Sequence, residues 1–160
     1  LPFPLHSISR GGGLTFHHPG QLVVYPIVNL NGVQVKLSHI VYGLLELAKR
    51  TIREQYAIVE LSHQRELLGL WHGSQKLASA GVGLKHFVNH HGMAINICPD
   101  QKMQQALNKL APCGLSASTY TSLAQHSSKP VNLAQFTQDF MKTLKEYAPI
   151  AWSKEFWHEG

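Results

Sequence analysis

Residues 57–98, AIVELSHQRELLGLWHGSQKLASAGVGLKHFVNHHGMAINIC, decide the fold class of this chain. They contain four short apolar segments of strand length, AIVEL, LLGLW, LASAGVGL and GMAINI, separated by polar or turn-forming residues. The HGSQ sequence at residues 72–75 is typical of a turn between two strands. We therefore predict a β-sheet here, with HFVNHHG at residues 86–92 connecting the last two strands.

Helical periodicity flanks this β-rich stretch on both sides. Before it, apolar residues recur at helical spacing over residues 34–55, and a strand pattern rich in Val, Ile and Tyr covers residues 21–30. After it, residues 101–110 form a second helical pattern. A third helix is predicted to begin at Asn132 as N-cap and to end at Pro149.

The length and the order of segments favour one domain with a single core. With 160 residues, 44% of them hydrophobic and 14% charged, we predict that residues 1–160 form a single domain. The order of strand, helix, several strands and two further helices predicts an α+β (α/β) fold with a mixed β-sheet flanked by helices. No run of about 18 apolar residues is present, so we expect a soluble chain without a transmembrane helix.

The charge and the cysteine content narrow the class of partner and the compartment. The formal net charge is +5, from 14 Lys+Arg and 9 Asp+Glu, and the basic residues are scattered rather than clustered. Nucleic acid is therefore only weakly indicated, and a positive surface suits an acidic partner about equally well. Two cysteines without a CxxC pair form neither a disulfide framework nor a zinc motif, so we expect a reducing, cytoplasmic location.

The two cysteines differ in their surroundings. Most free cysteines act as small buried apolar residues, and Cys98, which follows the apolar segment GMAINI, fits that description. Cys113 lies between Pro112 and Gly114, outside any apolar periodicity. A cysteine on such a loop can serve as a nucleophile, with a nearby backbone N–H stabilising the oxyanion that forms.

A thiol must be ionised before it can attack. Raising the thiolate fraction from a few per cent to about half at neutral pH requires roughly 2 kcal/mol of stabilisation, which a lysine or a histidine can supply. The residues alone leave Lys76, Lys85, Lys109 and the histidines open as that partner.

Two further motifs have a structural and a functional interpretation. The glycine-rich stretch RGGGLTFHHPGQL at residues 10–22 is either a tight turn that enters a strand or a backbone surface lying against a substrate, with Arg10 and His17 as polar contacts. It lacks the lysine of a phosphate-binding P-loop. His90 and His91 are adjacent on a predicted strand and should point to opposite faces, so we expect no metal site.

Four segments, in this order, resemble the lipoyl(octanoyl) transferase family. They are RGGGLTFHHPGQLVVYP at residues 10–26, WHGSQKLASAGVGL at 71–84, NHHGMAINI at 89–97 and APCGLSASTYTSL at 111–123. The resemblance implies the biotin/lipoyl protein-ligase fold, which is class II synthetase-like. It also implies that Cys113 is the nucleophile and that Lys76 is its catalytic partner. The implied substrate-binding residues are Arg10, Gly11, Gly12, Gly13, Leu14, Thr15, Phe16, His17, Ser79, Ala80, Gly81, Gly92, Met93 and Ala94.

The resemblance also implies the reaction and the partners. Members take an octanoyl group from octanoyl-acyl carrier protein, hold it as a cysteine thioester, and place it on a lysine of lipoyl domains of 2-oxoacid dehydrogenases or of the glycine-cleavage H protein. No cofactor, metal, nucleic acid or membrane is implied. Two alternatives stay open: an ATP-dependent lipoate-protein ligase or lipoyl-domain amidotransferase, and a non-catalytic binder of lipoyl domains or carrier protein.

The chain departs from the family pattern in two places. His18 stands where the family usually has glycine, although the residues on either side match. Members also carry a segment of roughly 50 residues before the RGG motif, whereas nine residues precede Arg10 here. We therefore expect a shortened relative or a chain that lacks its N-terminal part, with consequences for the sheet and the acyl pocket.

Overall fold

The computed structural model describes His6 and residues 15–32, 35–64, 67–110 and 115–151. The helices and strands in chain order are β1 Gln21–Val24, α1 Leu37–Tyr56, β2 Leu61–Gln64, β3 Gly69–His72, β4 Gln75–Lys85, β5 Val88–Asn96, α2 Gln101–Leu110 and α3 Leu133–Ala151. Two short 3-10 turns, Ala117–Thr119 and Leu123–Gln125, lie between α2 and α3.

The five strands form one sheet in the order β1-β5-β4-β3-β2, and each neighbouring pair is antiparallel. Within the described ranges, the parallel part of the predicted mixed sheet is a single bridge between Lys76 and Tyr120. The predicted turn at HGSQ is confirmed, since Gly73 adopts a φ of 57° between β3 and β4. The α+β class with a sheet flanked by helices is thus confirmed.

Two predicted boundaries in the β-rich stretch are wrong. Residues 57–60 are not a strand, because Ala57 takes a left-handed conformation (φ 59°) and donates its N–H to the Arg53 carbonyl at the end of α1. Residues 86–92 are not a connection either. Only His86 and Phe87 form the turn, and the antiparallel register resumes at Val88, which pairs with Lys85.

The helix boundaries agree with the sequence pattern with small shifts. Helix α1 begins at Leu37 rather than at residue 34. The N-cap of α3 is confirmed, since Asn132 Oδ1 accepts the N–H groups of Ala134 (2.8 Å) and Gln135 (3.2 Å). Helix α3 continues to Ala151 and does not stop at Pro149. A proline removes one backbone donor, and this loss interrupts few hydrogen bonds when it falls in the last turn of a helix.

Helices α1 and α3 cover one face of the sheet and form the main core with it. In the centre, the Tyr56 and Phe136 rings lie 5.9 Å apart. From Ala78 onward, alternate residues of β4 and β5 pack into this core, so intervening residues such as Ser79 and Ala94 face the opposite side. Leu77, beside an irregularity in the register of β3 and β4, is buried in the core as well. Fully buried members of the core include Leu44, Leu45, Leu47, Ala48, Ile52, Leu70, Leu77, Met93, Ile95, Ile97, Leu123, Phe136 and Phe140.

Candidate active site

The sheet face turned away from α1 and α3 carries small residues on its two longest strands. Ser79 of β4 pairs with Ala94 of β5, and Gly81 pairs with Gly92. Their neighbours Ala78, Ala80, Met93 and Ile95 pack into the core on the other side. The backbones of β4 and β5 are therefore accessible to a ligand at these positions in a way that larger side chains would prevent.

Three of the stretches assigned to substrate binding meet at this small-residue face. Thr15, His17 and Tyr25 lie above residues 79–81 and 92–94 and close a cavity of ≈ 30 Å³ with them. This volume holds about one or two water molecules, so a longer ligand must widen the cavity or lie across its mouth. Phe16 is elsewhere, packed against the Met103, Leu107 and Ala117 cluster.

Not every predicted site residue can be placed. Cys113 and the substrate-binding residues from Arg10 to Leu14 lie outside the described residues, so the distance between Cys113 and Lys76 is not defined by this structure. Their roles stay predictions.

At Gly92 the floor of the cavity depends on the residue being glycine. A Cβ atom there would collide with the Val24 carbonyl oxygen and would lie 2.8 Å from Cδ of Pro26. The β1 backbone therefore approaches β5 more closely than any side chain would allow.

The histidine pair beside the cavity departs from the expected alternation. His91 has a φ of 62°, a left-handed conformation uncommon outside glycine, and its ring lies 4.9 Å from that of His90. The positive φ interrupts the strand's pleat, so the expectation that the two rings point to opposite faces is wrong. The His91 ring also contacts Tyr25 edge-to-face at 5.4 Å, and the His90 imidazole covers Gly83.

Metal binding by these histidines would require further ligating side chains close to them. In the part of the chain that the structure describes, no group of three or more His, Cys, Asp or Glu side chains is arranged to hold a metal ion. A backbone held in a rare conformation beside a cavity is instead a common feature of ligand-binding sites.

Lys76 lies on β4 and is buried, with 6% of its surface exposed. Its side chain passes over Gly69, where a Cβ atom would lie 2.9 Å from Lys76 Cε, and its Nζ lies 5.4 Å from the centre of the Trp71 ring. Gly69 thus leaves the space that the lysine occupies, and the indole face provides a cation–π contact. Buried lysines recur in catalysis.

A chain of hydrogen bonds connects Lys76 to the small-residue face. The Lys76 carbonyl accepts the Thr121 N–H (3.1 Å), and the Thr121 carbonyl accepts the Asn96 side-chain amide (2.9 Å). Asn96 Oδ1 in turn accepts the Gln21 amide (2.8 Å), and Gln21 Oε1 lies 3.0 Å from His17 Nδ1. The network fixes the segment after residue 114 relative to both strands.

Sequence reasoning missed the two central members of this network. Asn96 is 8% exposed and Thr121 is 4% exposed. The available signal was Asn96 itself, since an amide within the apolar segment GMAINI needs buried partners. Thr121 carried no local signal, because its role depends on Lys76 and Asn96, which are distant in sequence.

His126 forms a further hydrogen bond with Thr121 and makes the stability of the segment after residue 114 depend on pH. Its Nε2 lies 2.7 Å from Thr121 Oγ1, and its ring lies 4.3 Å from that of His72. Burial, with a smaller effect from His72, lowers the pKa of His126 below its ordinary value of 6.5. The folded chain therefore favours the neutral imidazole.

We expect His126 to make the protein less stable in mild acid. Because its folded-state pKa is lowered, its contribution to stability is complete above pH 6.5 and is lost as the pH falls from 6.5 through the folded-state pKa. The variant His126→Gln should therefore lose less stability than the wild type between about pH 7.5 and about pH 5.5. Urea unfolding midpoints at the two pH values measure this. An identical pH dependence in both proteins would contradict it.

Cys98 occupies the position expected of a structural cysteine. It is half-buried, it packs at the edge of the main core, and its Sγ lies 4.0 Å from the Val131 carbonyl oxygen. These contacts account for Cys98 without a chemical role.

Known proteins resemble this chain in sequence over most of its length. The family profile of the lipoyl protein ligase A/B catalytic domain matches residues 2–145. An octanoyltransferase from Syntrophotalea carbinolica is 36% identical over 149 residues, which cover 91% of this chain and 68% of the relative. An octanoyltransferase from Nostoc sp. is 36% identical over 125 residues, which cover 77% of this chain and 53% of the relative. The chain thus spans about half to two thirds of the length of these curated relatives.

Solved structures resemble it in fold. The biotin protein ligase from Aquifex aeolicus in complex with biotin and ATP superposes with a TM-score of 0.65 at 14% identity, covering 86% of this chain and 53% of that one. Lipoate-protein ligase A bound with ATP gives 0.62 at 13% identity, covering 88% and 57%. At these identities the likeness concerns the fold alone, and it confirms the predicted biotin/lipoyl protein-ligase fold. No helix in the described part of the chain is long and apolar enough to cross a membrane.

Proposed function

Because the chain belongs to the lipoyl protein ligase A/B catalytic family and, within it, to the octanoyltransferases, we propose that it transfers an octanoyl group from octanoyl-acyl carrier protein to a lysine of a lipoyl domain. The observation that carries this proposal is the placement of Lys76. It is buried on the same strand as Ser79 and Gly81 of the small-residue face, and its carbonyl holds Thr121, eight residues after Cys113.

In the first step the enzyme takes the acyl group from its carrier. The Cys113 thiolate attacks the thioester carbonyl, a new C–S bond forms, and the C–S bond to the carrier breaks, so the carrier leaves as a thiolate that takes up the proton of the Lys76 ammonium. One thioester replaces another of similar energy, so the acyl-enzyme persists until an acceptor arrives. As an ammonium, Lys76 favours the attacking thiolate.

In the second step the acceptor lysine attacks the acyl-enzyme. Its amine must be neutral, although an ordinary lysine with a pKa of about 10.4 is mostly protonated at neutral pH. The neutral amine of Lys76 accepts the proton that the attacking nitrogen loses, a C–N bond forms, and Cys113 leaves as thiolate. ATP is not required, since the thioester is already activated.

The small-residue face provides the place for the acyl chain in this proposal. Ser79, Gly81, Gly92 and Ala94 present backbone and small side chains on this face, and a flexible alkyl chain lies against them once the ≈ 30 Å³ cavity has widened. Thr15 and His17 at the mouth of the cavity supply polar groups near the carbonyl end.

An ATP-free transfer assay tests the proposal against its closest alternative. The purified chain is mixed with octanoyl-acyl carrier protein and a lipoyl domain, and the domain is weighed by intact-mass spectrometry. A parallel reaction contains free lipoate or octanoate with ATP. We expect octanoylation of the domain in the first reaction only. Modification that requires ATP would indicate a ligase, and binding of the domain without modification would indicate a non-catalytic binder.

A further inference from the structure

Two consecutive histidines lie in the loop that leads into β1, and they contact different parts of the fold. We call residues 15–20 the entry loop. His17 is exposed and lines the cavity at the small-residue face together with Thr15. His18 is half-buried and lines a separate cavity of ≈ 390 Å³, beside Asn96 and the start of α2. Contacts at His18 therefore affect where the entry loop places its groups on the small-residue face.

The entry loop ends in a turn that lies tightly against the end of β5. The Gln21 N–H donates to the His18 carbonyl at 3.1 Å, which closes the turn. The Gly20 carbonyl accepts the N–H groups of Ile97 and Cys98, both at 3.0 Å. A Cβ atom on Gly20 would collide with the Cys98 carbonyl oxygen. The backbone of the turn is thus packed against residues that follow β5.

The His18 imidazole holds this turn through hydrogen bonds that require its neutral form. Its Nδ1 accepts the Gly20 N–H at 3.2 Å, so the proton of the neutral ring lies on Nε2. The ring also hydrogen-bonds the side chain of Asn96, the buried amide that connects Gln21 to Thr121. Protonation of Nδ1 would direct a second N–H toward that of Gly20. The imidazolium therefore cannot keep the contact with Gly20.

The surroundings of His18 favour the neutral ring. Burial is the largest effect and lowers the pKa of His18 below its ordinary value of 6.5. The amide hydrogen bond and the Asp100 carboxylate raise this pKa, whereas the neighbouring His17 lowers it. Cys98 and Tyr120 are further titratable side chains along the same cavity. Because the net effect is a lowered pKa, the contact is complete above pH 6.5 and is lost as the pH falls through the folded-state pKa.

We propose that His18 is a positioning residue, which holds the entry loop over the small-residue face while its imidazole is neutral and releases the loop when the imidazole is protonated. Glycine, which the family usually has at this position, has no side chain that could make either hydrogen bond. The inference rests on the proposed octanoyl transfer for its kinetic consequence, which is weaker binding of the acyl donor in mild acid.

Two substitutions separate the hydrogen bond from the charge. In His18→Asn, the side-chain oxygen takes nearly the place of Nδ1 and accepts the Gly20 N–H as in an Asx-turn, but it does not titrate. In His18→Gly both side-chain hydrogen bonds are lost. The matched control is His86→Asn, which replaces an exposed histidine in the turn between β4 and β5. Asparagine tolerates the left-handed conformation of that residue (φ 49°).

Hydrogen exchange tests the hold on the loop in the 160-residue chain without substrate. The readout is the protection factor of the Gln21, Ile97 and Cys98 amides, which corrects for the intrinsic pH dependence of exchange. In the wild type and in His86→Asn we expect protection to fall about three- to tenfold from about pH 7.5 to about pH 5, the effect of losing one neutral hydrogen bond. His18→Asn should keep its protection, and His18→Gly should be poorly protected at both pH values. An equal fall in the wild type and His18→Asn, or no fall in the wild type, would overturn the proposal.

Steady-state kinetics test whether the hold matters for the reaction. The KM for octanoyl-acyl carrier protein is measured at the same two pH values, and the ratio of wild type to His18→Asn removes pH effects on Cys113, Lys76 and the carrier. We expect this KM ratio to rise about three- to tenfold in acid while the kcat ratio stays constant. A constant KM ratio beside pH-dependent exchange would show that His18 only stabilises the turn, and the positioning role would be wrong. If the chain transfers no octanoyl group, the proposed function fails, and the exchange comparison still decides whether His18 holds the loop.

Discussion

Replacing Cys113 by serine should reduce octanoyl transfer to a lipoyl domain by at least about 10³-fold. A hydroxyl is far weaker as a nucleophile than a thiolate at neutral pH, and a serine ester would also change the leaving group of the second step. The rate of lipoyl-domain octanoylation, measured by mass with saturating carrier, gives the effect. Since Cys113 lies in a loop sequence between Pro112 and Gly114, we expect the unfolding midpoint to stay close to that of the wild type.

The chain contains a matched control for this substitution. Cys98→Ser removes the only other thiol, which contacts the Val131 carbonyl and packs at the edge of the core. We expect it to transfer octanoyl at close to the wild-type rate. Loss of activity in Cys98→Ser together with an active Cys113→Ser would reverse the assignment.

Replacing Lys76 should give the second-largest loss, about 10²- to 10⁴-fold in the transfer rate, which is the usual contribution of a general acid–base residue. Both half-reactions should slow, because the proposal uses the ammonium in the first and the amine in the second. Single-turnover measurements separate them: acylation by octanoyl-acyl carrier protein, then transfer from the isolated acyl-enzyme. A mutant that slows only one half-reaction would restrict Lys76 to that step.

Packing effects at Lys76 need their own control. Lys76→Ala leaves space beside Gly69 and Trp71, whereas Lys76→Met retains most of the side-chain volume without the amine. If the amine is what matters, the two variants should be equally slow although Lys76→Met is the more stable by urea unfolding. Activity recovered in Lys76→Met would show that the lysine serves packing alone.

The helices and the sheet were largely predictable, because apolar spacing depends on which face is buried. The errors arose where polar residues lie inside the sheet. Residues 86–92 resemble a loop in sequence, yet Asn89 donates its side-chain amide to the Pro26 carbonyl at 2.6 Å and His90 covers Gly83. The partner of the Asn89 amide lies 63 residues away, and no local pattern reveals such a distant partner.

The candidate site was also predictable only in part. Motifs quoted from the sequence indicated residues 79–81 and 92–94, and the register of β4 against β5 brings them together. The supporting contacts were not predictable, since Gln21 and Asn96 are 75 residues apart and their hydrogen bond exists only in the folded sheet. The left-handed conformation of His91 depends likewise on its neighbours in space.

The most direct test is to locate the acyl group on the enzyme itself. The chain is incubated with octanoyl-acyl carrier protein without ATP, quenched in acid, digested and sequenced by mass spectrometry. We predict one octanoyl group, on the peptide that contains Cys113, which disappears when a lipoyl domain is added and is absent in Cys113→Ser. An octanoyl group on Cys98, or transfer to the lipoyl domain with no acylated enzyme at any time, would contradict the account.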